Sequence, residues 1–273
     1  MSSASWAAFD LNAAVSAAAA LAVMLLTFTV ALRLRLHRIV DIAWGLAFTA
    51  VASVSYLLSA GEGNQGRRLL VTLATCLWGL RLAAHIAWRG RGHGEDAGYT
   101  RLLDRAHGNR NLYALRTVYL LQAFLVWLVS LPIQAAQYVP APVGPLAVAG
   151  ALLWAAGLTF EATGDYQLAR FKADPGNRGR VMDRGLWAWT RHPNYFGDAL
   201  LWWGMFLLAC ATWQTAVLTF VSPLTMTMLL TCGSGKRLLE THMTNRPGYV
   251  AYQARTSGYL PRPPRRRARS GPA

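Results

Sequence analysis

The sequence predicts an all-α integral membrane protein with about seven transmembrane helices. Hydrophobic residues make up 54% of the 273 positions and charged residues only 14%, whereas a soluble domain carries roughly 25% charged residues. The apolar residues are gathered in blocks, most of them long enough to cross a hydrocarbon core of roughly 30 Å. We therefore expect a single integral membrane domain over residues 1–273.

Seven apolar blocks, taken in chain order, support this prediction. The first has no charged residue over 22 positions and stops at Arg33. A Gly-rich turn precedes the third block, and Pro140, Pro142 and Pro145 separate the fourth from the fifth, because proline interrupts helices. The sixth is short for a bilayer, so it either crosses with little tilt or pairs with the seventh as a hairpin. The predicted spans are 11–32, 39–60, 69–88, 117–139, 146–163, 196–211 and 215–232.

The distribution of basic residues predicts the orientation in the membrane. Segments 33–38, 89–116, 164–196 and 233–273 carry three, six, six and nine Arg or Lys residues. The loops on the other side carry only Arg67 and Arg68. Because cytoplasmic loops are enriched in basic residues, we expect the N-terminus outside and the C-terminus in the cytoplasm of a bacterial inner membrane.

Arginine dominates the basic residues, which bears on the expected partners. The net charge is +15, yet only two of the 27 basic residues are lysine. Arginine favours flat anions such as phosphates and carboxylates, so membrane lipids and phosphate-bearing ligands are expected, and nucleic acid is not. Cys76, Cys210 and Cys232 lie in apolar blocks, too far apart for a metal motif, so we expect buried packing thiols and no metal site.

The densest polar segment covers 185–198 and leads into the sixth span. Pro193 can open a helix at its first turn, and the N–H groups of a helix start favour an anion. Arg191 could supply charge, Asn194 an amide, and Tyr195 a ring or a hydroxyl. The alternative is an interfacial belt, in which the aromatic rings lie among lipid headgroups and Arg191 binds lipid phosphate.

A second cluster lies at the end of the fifth span. Glu161 and Asp165 are four residues apart and share a helix face, so they could accept hydrogen bonds from ribose or amide groups. Arg170 and Lys172 could bind phosphates. A helix end held by ion pairs is the alternative.

A third cluster lies in the polar tail. Tyr249, Tyr252 and Arg255 repeat every three residues and share one helical face, where rings beside a guanidinium could stack an adenine. The alternative is a helix docked at the membrane interface. The last residues, 263–273, are expected to form a basic disordered tail.

Ionisable residues inside the predicted spans are candidates for function, because hydrocarbon makes them costly. Asp41 lies near the start of the second span, and Arg81 and His85 are four apart in the third. One interpretation is a proton donor or polarising group facing a lipid pocket. The other is a structural Asp41–Arg81 ion pair.

Several of these motifs, taken in order, resemble one protein family. They are Asp-Ile-Ala-Trp-Gly at 41–45, Trp-Gly-Leu-Arg at 78–81, Thr-Arg-His-Pro-Asn-Tyr-Phe-Gly at 190–197, Leu-Leu-Glu ending at Glu240, and the Pro-Gly-Tyr tail around Tyr249. This combination resembles the steroid 5-alpha-reductase C-terminal domain superfamily, and more narrowly its uncharacterised bacterial branch. The resemblance is richest over 146–262, the part expected to bind the cofactor.

The resemblance implies a seven-helix fold, NADPH bound from the cytoplasmic side, and reduction of an activated carbon–carbon double bond in a lipophilic substrate from the bilayer. Carried over by motif, the implied cofactor contacts are Arg81, Arg89, Arg91, Asp165, Arg170, Lys172, Arg191, His192, Asn194, Tyr195, Asp198, Glu240, Tyr249, Tyr252 and Arg255.

The chain departs from the steroid reductases at their polarising pair, a Glu on the second helix and a Tyr on the third. Here those positions hold Asp41 and Trp78, and an indole cannot donate its proton as a phenol does. The expected catalytic residues are Asp41, Trp78 and His85, and we expect Asp41, with His85 or an ordered water, to polarise or protonate the substrate. Two other functions stay open: an S-adenosylmethionine-dependent lipid or prenyl methyltransferase, and a lipid-binding protein without catalysis.

Overall fold

A computed structural model describes residues 3–232, 240, 243 and 246–264. Its α-helices are α1 (Ser3–Leu34), α2 (Val40–Leu58), α3 (Gln65–Gly90), α4 (Ala97–Leu103), α5 (Arg110–Ala114), α6 (Leu121–Val129), α7 (Leu131–Ala136), α8 (Pro145–Ala173), α9 (Leu186–Trp189), α10 (Pro193–Ala209), α11 (Trp213–Thr231) and α12 (Tyr249–Arg255). A π-helical segment at Leu115–Leu120 joins α5 to α6. The described residues contain no β-strand, and most of the predicted basic tail at 263–273 lies outside them.

Six helical segments are long and apolar enough to cross a membrane, as an integral membrane protein requires. They are Ser5–Leu34, His37–Leu58, Gln65–Gly90, Arg110–Ala136, Pro145–Ala173 and Trp213–Thr231. The expected sixth span corresponds to α10, which begins at Pro193 and has 17 residues. That length is at the lower limit of roughly 17 to 25 residues for a spanning helix, and α10 is not among the six, so the predicted count of seven is not confirmed.

The segment 89–116, expected to be a long polar loop, is partly helical. Asp96 caps α4 by accepting from the Gly98 N–H at 2.7 Å. Asn109 caps α5 by accepting from the N–H groups of Asn111 and Leu112, at 2.9 and 3.2 Å. Side-chain caps of this kind satisfy the unpaired amides of a helix start. Because Asn109 caps α5, the fourth span begins at Arg110 rather than near residue 117.

Contacts divide the chain into two compact units. The first contains Met1–Val148 and Met205–Ser222, and the second contains Ala149–Gly204 and the described residues from Pro223 onward. In the first unit, α2 and α3 meet at Gly45 and Gly79, where a Cβ on either glycine would collide with the carbonyl oxygen of the other. Small residues permit such close helix approach in membranes.

In the second unit, α8 and α10 pack along a glycine seam. Gly150, Gly157 and Gly164 recur every seven residues on α8, and Gly197 and Gly204 do so on α10. A Cβ on Gly157 would lie 2.6 Å from the Gly197 oxygen, and one on Gly204 would lie 2.6 Å from the Gly150 oxygen. A seven-residue repeat keeps one seam facing the partner helix, so this pair holds the start of α10 against the end of α8.

Arg67 and Arg68, expected in an external loop, are instead buried in the first turn of α3, at 3% and 5% exposure. Their partners are mostly carbonyl and hydroxyl oxygens of the first unit: Arg67 donates to the carbonyls of Leu208, Ala141 (3.3 Å) and Pro142 (2.9 Å), and Arg68 to Ser59 Oγ (2.9 Å), Gln65 Oε1 (2.8 Å) and the Tyr56 carbonyl (2.7 Å). A guanidinium has five donors in a planar fork, so it can satisfy several helix ends at once. These two arginines therefore connect the start of α3 to neighbouring segments of the first unit and do not lie in a solvated loop.

Candidate functional site

The start of α2 carries the first candidate site, built around Asp41. The Tyr99 hydroxyl on α4 donates to Asp41 Oδ1 at 2.6 Å, and Tyr99 also hydrogen-bonds with Gln122. A hydroxyl donating to a carboxylate makes one of the strong hydrogen bonds of proteins. We call Asp41, Tyr99 and Gln122 the acid–phenol site.

Glu95 brings Tyr99 to Asp41 by fastening the segment before α4 onto the segment before α2. Its two carboxylate oxygens accept from the backbone N–H groups of His37 and Arg38, the second at 2.9 Å. Arg38 returns the contact, since its Nη1 donates to the Gly94 carbonyl at 2.9 Å. These reciprocal bonds close a loop of more than fifty residues and leave Tyr99 above the first turn of α2.

The environment keeps Tyr99 protonated. Burial raises the pKa of its phenol well above the ordinary value of 10.0, and the nearby Asp41 charge and the hydrogen bond to it raise that pKa further. The unpaired negative charge of a phenolate would be costly in this setting. Tyr99 is therefore a hydrogen-bond donor at any physiological pH.

A second phenol stands beside this site. The His37 imidazole Nδ1 is 3.1 Å from the Tyr119 hydroxyl, and the Phe28 ring packs edge-on against Tyr119 at 5.0 Å. Sequence reasoning missed Tyr99, Glu95, Gln122, His37 and Tyr119. One signal was present: the predicted loop 89–116 contains only two tyrosines, Tyr99 and Tyr113, and a buried acid needs a donor.

Two of the predicted catalytic residues occupy other places in the first unit. Trp78 is fully buried and packs edge-on against Phe48, with ring centroids 5.4 Å apart. Its indole is therefore part of the seam between α2 and α3. His85 lies against the half-exposed Trp88, with ring centroids 6.1 Å apart.

The start of α10 carries the second candidate site, and the polar tail completes it. The Arg191 N–H donates to the Ser257 carbonyl at 2.9 Å, and the Arg262 N–H donates to the Trp189 carbonyl at 3.0 Å. Thr190 and Ser257 form a parallel bridge, and Thr190 Oγ1 donates to the Tyr259 carbonyl at 2.8 Å. Motifs some sixty residues apart thus form one structure.

Arg191 and Glu240 are the centre of this second site, which we call the arginine–glutamate site. Nε and Nη2 of Arg191 are each 2.9 Å from Glu240 Oε1, and Nη1 donates to the carbonyls of Thr256 at 2.7 Å and Gln253 at 3.3 Å. His192 Nε2 lies 3.1 Å from the same glutamate oxygen. The Arg191 guanidinium therefore donates to groups of the protein itself, and these bonds hold the tail at the start of α10.

The tail tyrosines are buried rather than open to a stacked base. Tyr249 and Tyr252 are 4% and 2% exposed, and the Tyr252 hydroxyl donates to the Trp187 carbonyl at 2.6 Å. Burial is the main cause that raises the pKa of both phenols. Arg255 forms an ion pair with Asp183 and lies over the Tyr252 ring, so these predicted cofactor contacts serve to hold the tail.

The remaining predicted contacts are divided between the units. Glu161 and Asp165 are buried on α8, and a Cβ on the intervening Gly164 would lie 3.2 Å from the Asn194 nitrogen at the start of α10. Tyr195 stacks on His192, with ring centroids 5.3 Å apart and an angle of 6° between the planes. Asp198 is half-buried in the second unit. Arg170 and Lys172 are exposed in the last turn of α8. The other predicted contacts belong to the first unit: Arg81, Arg89 and Arg91.

Metal ligands and thiols add no further site. Among the described residues, no group of three or more His, Cys, Asp or Glu side chains could hold a metal ion. Cys76 and Cys210 are half-buried free thiols, and burial raises the pKa of Cys210 to about 11. Cys232 is exposed near the end of α11, so the prediction that all three thiols are buried is wrong for this one.

One comparison with known proteins gives a match. A family described as "Protein of unknown function (DUF1295)" matches residues 27–256. That range includes the acid–phenol site, and it includes the arginine–glutamate site through the end of α12. No curated protein and no solved structure matches the chain.

Proposed function

We propose that this protein reduces an activated carbon–carbon double bond in a membrane lipid with NADPH. The chain belongs to the DUF1295 family, whose model matches residues 27–256. The motifs that resemble the steroid 5-alpha-reductase superfamily motivate the proposal. The observation that carries it is the 2.6 Å hydrogen bond from Tyr99 to Asp41, since it supplies the phenol that Trp78 does not.

The acid–phenol site can polarise a substrate carbonyl conjugated to the double bond. Tyr99 stays protonated because burial and Asp41 raise the pKa of its phenol. Tyr99 has a single proton, which Asp41 Oδ1 accepts in this structure. To act as the general acid, the hydroxyl turns this proton from Asp41 to the carbonyl oxygen, and Asp41 holds the phenol in position. The phenolate left behind then takes up a proton from water. A positioned general acid of this kind contributes roughly a hundredfold or more to a rate.

The exposed cations of the second unit suit a cofactor that carries phosphates. NADPH, when bound, supplies the hydride that the reduction needs, and it brings phosphates that require cations. Exposed cations at the end of α8 and in the following segment fit that need: Arg170, Lys172, Arg178, Arg180 and Arg184. A guanidinium group can bind two oxygens of one phosphate through two parallel hydrogen bonds.

Arg191 has a different role in this proposal from the one that the motif implies. Its contacts to Glu240 and to the carbonyls of Gln253 and Thr256 make it a positioning residue, which holds the tail beside the cation-rich segment. S-adenosylmethionine carries no phosphate, so the exposed cations favour the reductase over the methyltransferase.

Binding of NADPH to the purified protein tests the proposal. We expect a saturable change in reduced-nicotinamide fluorescence, and a thermal shift with NADPH but not with S-adenosylmethionine. The double variant Arg178→Ala with Arg180→Ala should weaken NADPH binding at least tenfold, whereas Arg105→Ala, which removes an exposed cation of the first unit, should not. A shift with S-adenosylmethionine alone would support the methyltransferase, and no shift with either would support the lipid-binding alternative.

A further inference from the structure

A cavity of about 390 Å³ opens beside the end of α1, outside both candidate sites. Its lining residues all belong to the first unit: Ala31, Leu32, Arg35, His37, Glu95, Thr100, Leu103, Asp104, Arg110 and Asn111. The volume is that of a site for a small molecule or a lipid headgroup. Asp41 and Tyr99 are not among the lining residues, so the cavity is a separate feature.

The lining carries equal numbers of opposite charges. Arg35 and Arg110 supply two guanidinium groups, and Glu95 and Asp104 supply two carboxylates. An inorganic anion alone would meet the carboxylates as well as the arginines, and a simple cation would meet the arginines. A ligand that carries both a phosphate and an ammonium group matches both pairs.

The position of Arg35 is set by an unusual backbone. Its φ is +56°, and it is the one residue other than glycine with a positive φ among those described. Such a conformation is costly for a residue with a Cβ, and glycine would adopt it freely. The strained turn nevertheless keeps an exposed guanidinium at the cavity, directly after the last turn of α1.

The carboxylates differ in their availability. Glu95 already accepts from the backbone N–H groups of His37 and Arg38, which fixes it in the cavity wall. Asp104 pairs with Arg110 at 3.0 Å, with side chains 54% and 66% exposed. Exposed ion pairs contribute little to stability, so a ligand can open this pair and bind an ammonium on Asp104 and a phosphate on Arg110.

The apolar part of the lining indicates that the ligand is a lipid. Ala31 and Leu32 belong to the last turns of a candidate membrane span, Ser5–Leu34, where the hydrocarbon core gives way to headgroups. Leu103 adds a third apolar side chain. We infer that this cavity binds the headgroup of a phospholipid of the phosphoethanolamine type.

The ammonium is expected to be primary rather than quaternary. Proteins hold quaternary ammonium groups in cages of aromatic rings, and the lining contains no Phe, Tyr or Trp. A primary ammonium has three N–H donors, which suit the carboxylates and the Thr100 hydroxyl. The cavity therefore favours ethanolamine over choline headgroups.

Native mass spectrometry of the full-length protein in detergent tests this inference. We offer phosphatidylethanolamine, phosphatidylcholine and phosphatidylglycerol of matched chains, and soluble phosphoethanolamine as a competitor. We expect phosphatidylethanolamine to bind at least tenfold more tightly than the other two lipids. Displacement by phosphoethanolamine would identify the headgroup as the bound part, and failure of lipid to bind while phosphoethanolamine binds would contradict the lipid assignment.

Two variants locate the bound headgroup and are expected to leave the fold intact. Arg35→Gly removes the guanidinium and relieves the positive φ, so it should fold at least as well and bind phosphatidylethanolamine at least tenfold more weakly. Asp104→Asn should shift the preference towards phosphatidylglycerol, because Arg110 then lacks its carboxylate. Arg105→Ala, an exposed cation outside the cavity lining, is the matched control. Unchanged binding and preference in both Arg35→Gly and Asp104→Asn would overturn the inference.

Discussion

The Tyr99 hydroxyl on α4 donates to Asp41 Oδ1 on α2 at 2.6 Å, although 58 residues separate them in the chain. The contact depends on Glu95, which binds the backbone before α2. It joins a membrane-span carboxylate to a phenol from the segment beside that span. The proposed chemistry rests on this pair.

Removal of the phenol should affect chemistry more than folding. Tyr99→Phe keeps the ring and removes the general acid, so we expect turnover to fall roughly a hundredfold, with NADPH affinity unchanged. Tyr113→Phe is the matched control, because it removes the other phenol of segment 89–116. Equal turnover in the two variants would contradict the role of Tyr99.

Loss of Arg191 should loosen the tail. Arg191→Ala removes the guanidinium from Glu240 and frees the carbonyls of Gln253 and Thr256, so we expect a loss of about 3 kcal/mol in the free energy of unfolding. Thermal unfolding and limited proteolysis within residues 249–262 measure it. Arg246→Ala, an exposed cation of the same tail, should leave both unchanged.

A double-mutant cycle separates that ion pair from general damage. If Arg191 acts through Glu240, the variant carrying both Arg191→Ala and Glu240→Gln should be less destabilised than the sum of the two single variants. Additive losses would show that the two side chains act independently.

The glycine seam should tolerate no side chain. Gly157→Ala places a Cβ 2.6 Å from the Gly197 oxygen, so we expect the pair α8–α10 to separate and the melting temperature to fall by several degrees. Gly144→Ala, where no atom lies within 4 Å of an added Cβ, should cost little. A tolerated Gly157→Ala would show that the two helices are free to move apart.

Stability should fall at alkaline pH because buried phenols resist ionisation. The pKa of Tyr252 is raised above its ordinary value of 10.0, mainly by burial, so the unfolded chain loses this proton first as pH rises. The resulting linkage leaves stability intact below about pH 10 and lowers it above that pH. Melting temperatures from pH 8 to 11 should decline less steeply in Tyr252→Phe, and an unchanged slope would rule out this tyrosine as a cause.

The sequence predicts the elements that follow from composition and local pattern. Apolar blocks and their Pro and Gly boundaries predict all the helices that could span a membrane, because a span is a local property. The count differs at α10, since Pro193 opens that helix but the apolar run ends by Ala209. The seven-residue spacing of Gly150, Gly157 and Gly164 was also visible in the sequence and would have predicted the seam.

Tertiary contacts account for what sequence reasoning missed. Arg67 and Arg68 look like loop cations, and only the fold supplies the carbonyl oxygens that bury them. Tyr99 reaches Asp41 only because Glu95 folds its segment back. The tail motif around Tyr249 and Tyr252 was recognised, but its burial depends on the bridge between Thr190 and Ser257, which no local pattern indicates.

Oxidation of NADPH by the purified protein in the presence of a membrane lipid extract is the direct test of the proposed reduction. We expect lipid to stimulate oxidation in the wild type and in Tyr113→Phe, and we expect Tyr99→Phe to lose roughly a hundredfold of this activity. Lipid-stimulated oxidation that persists in Tyr99→Phe, or none in the wild type, would contradict it.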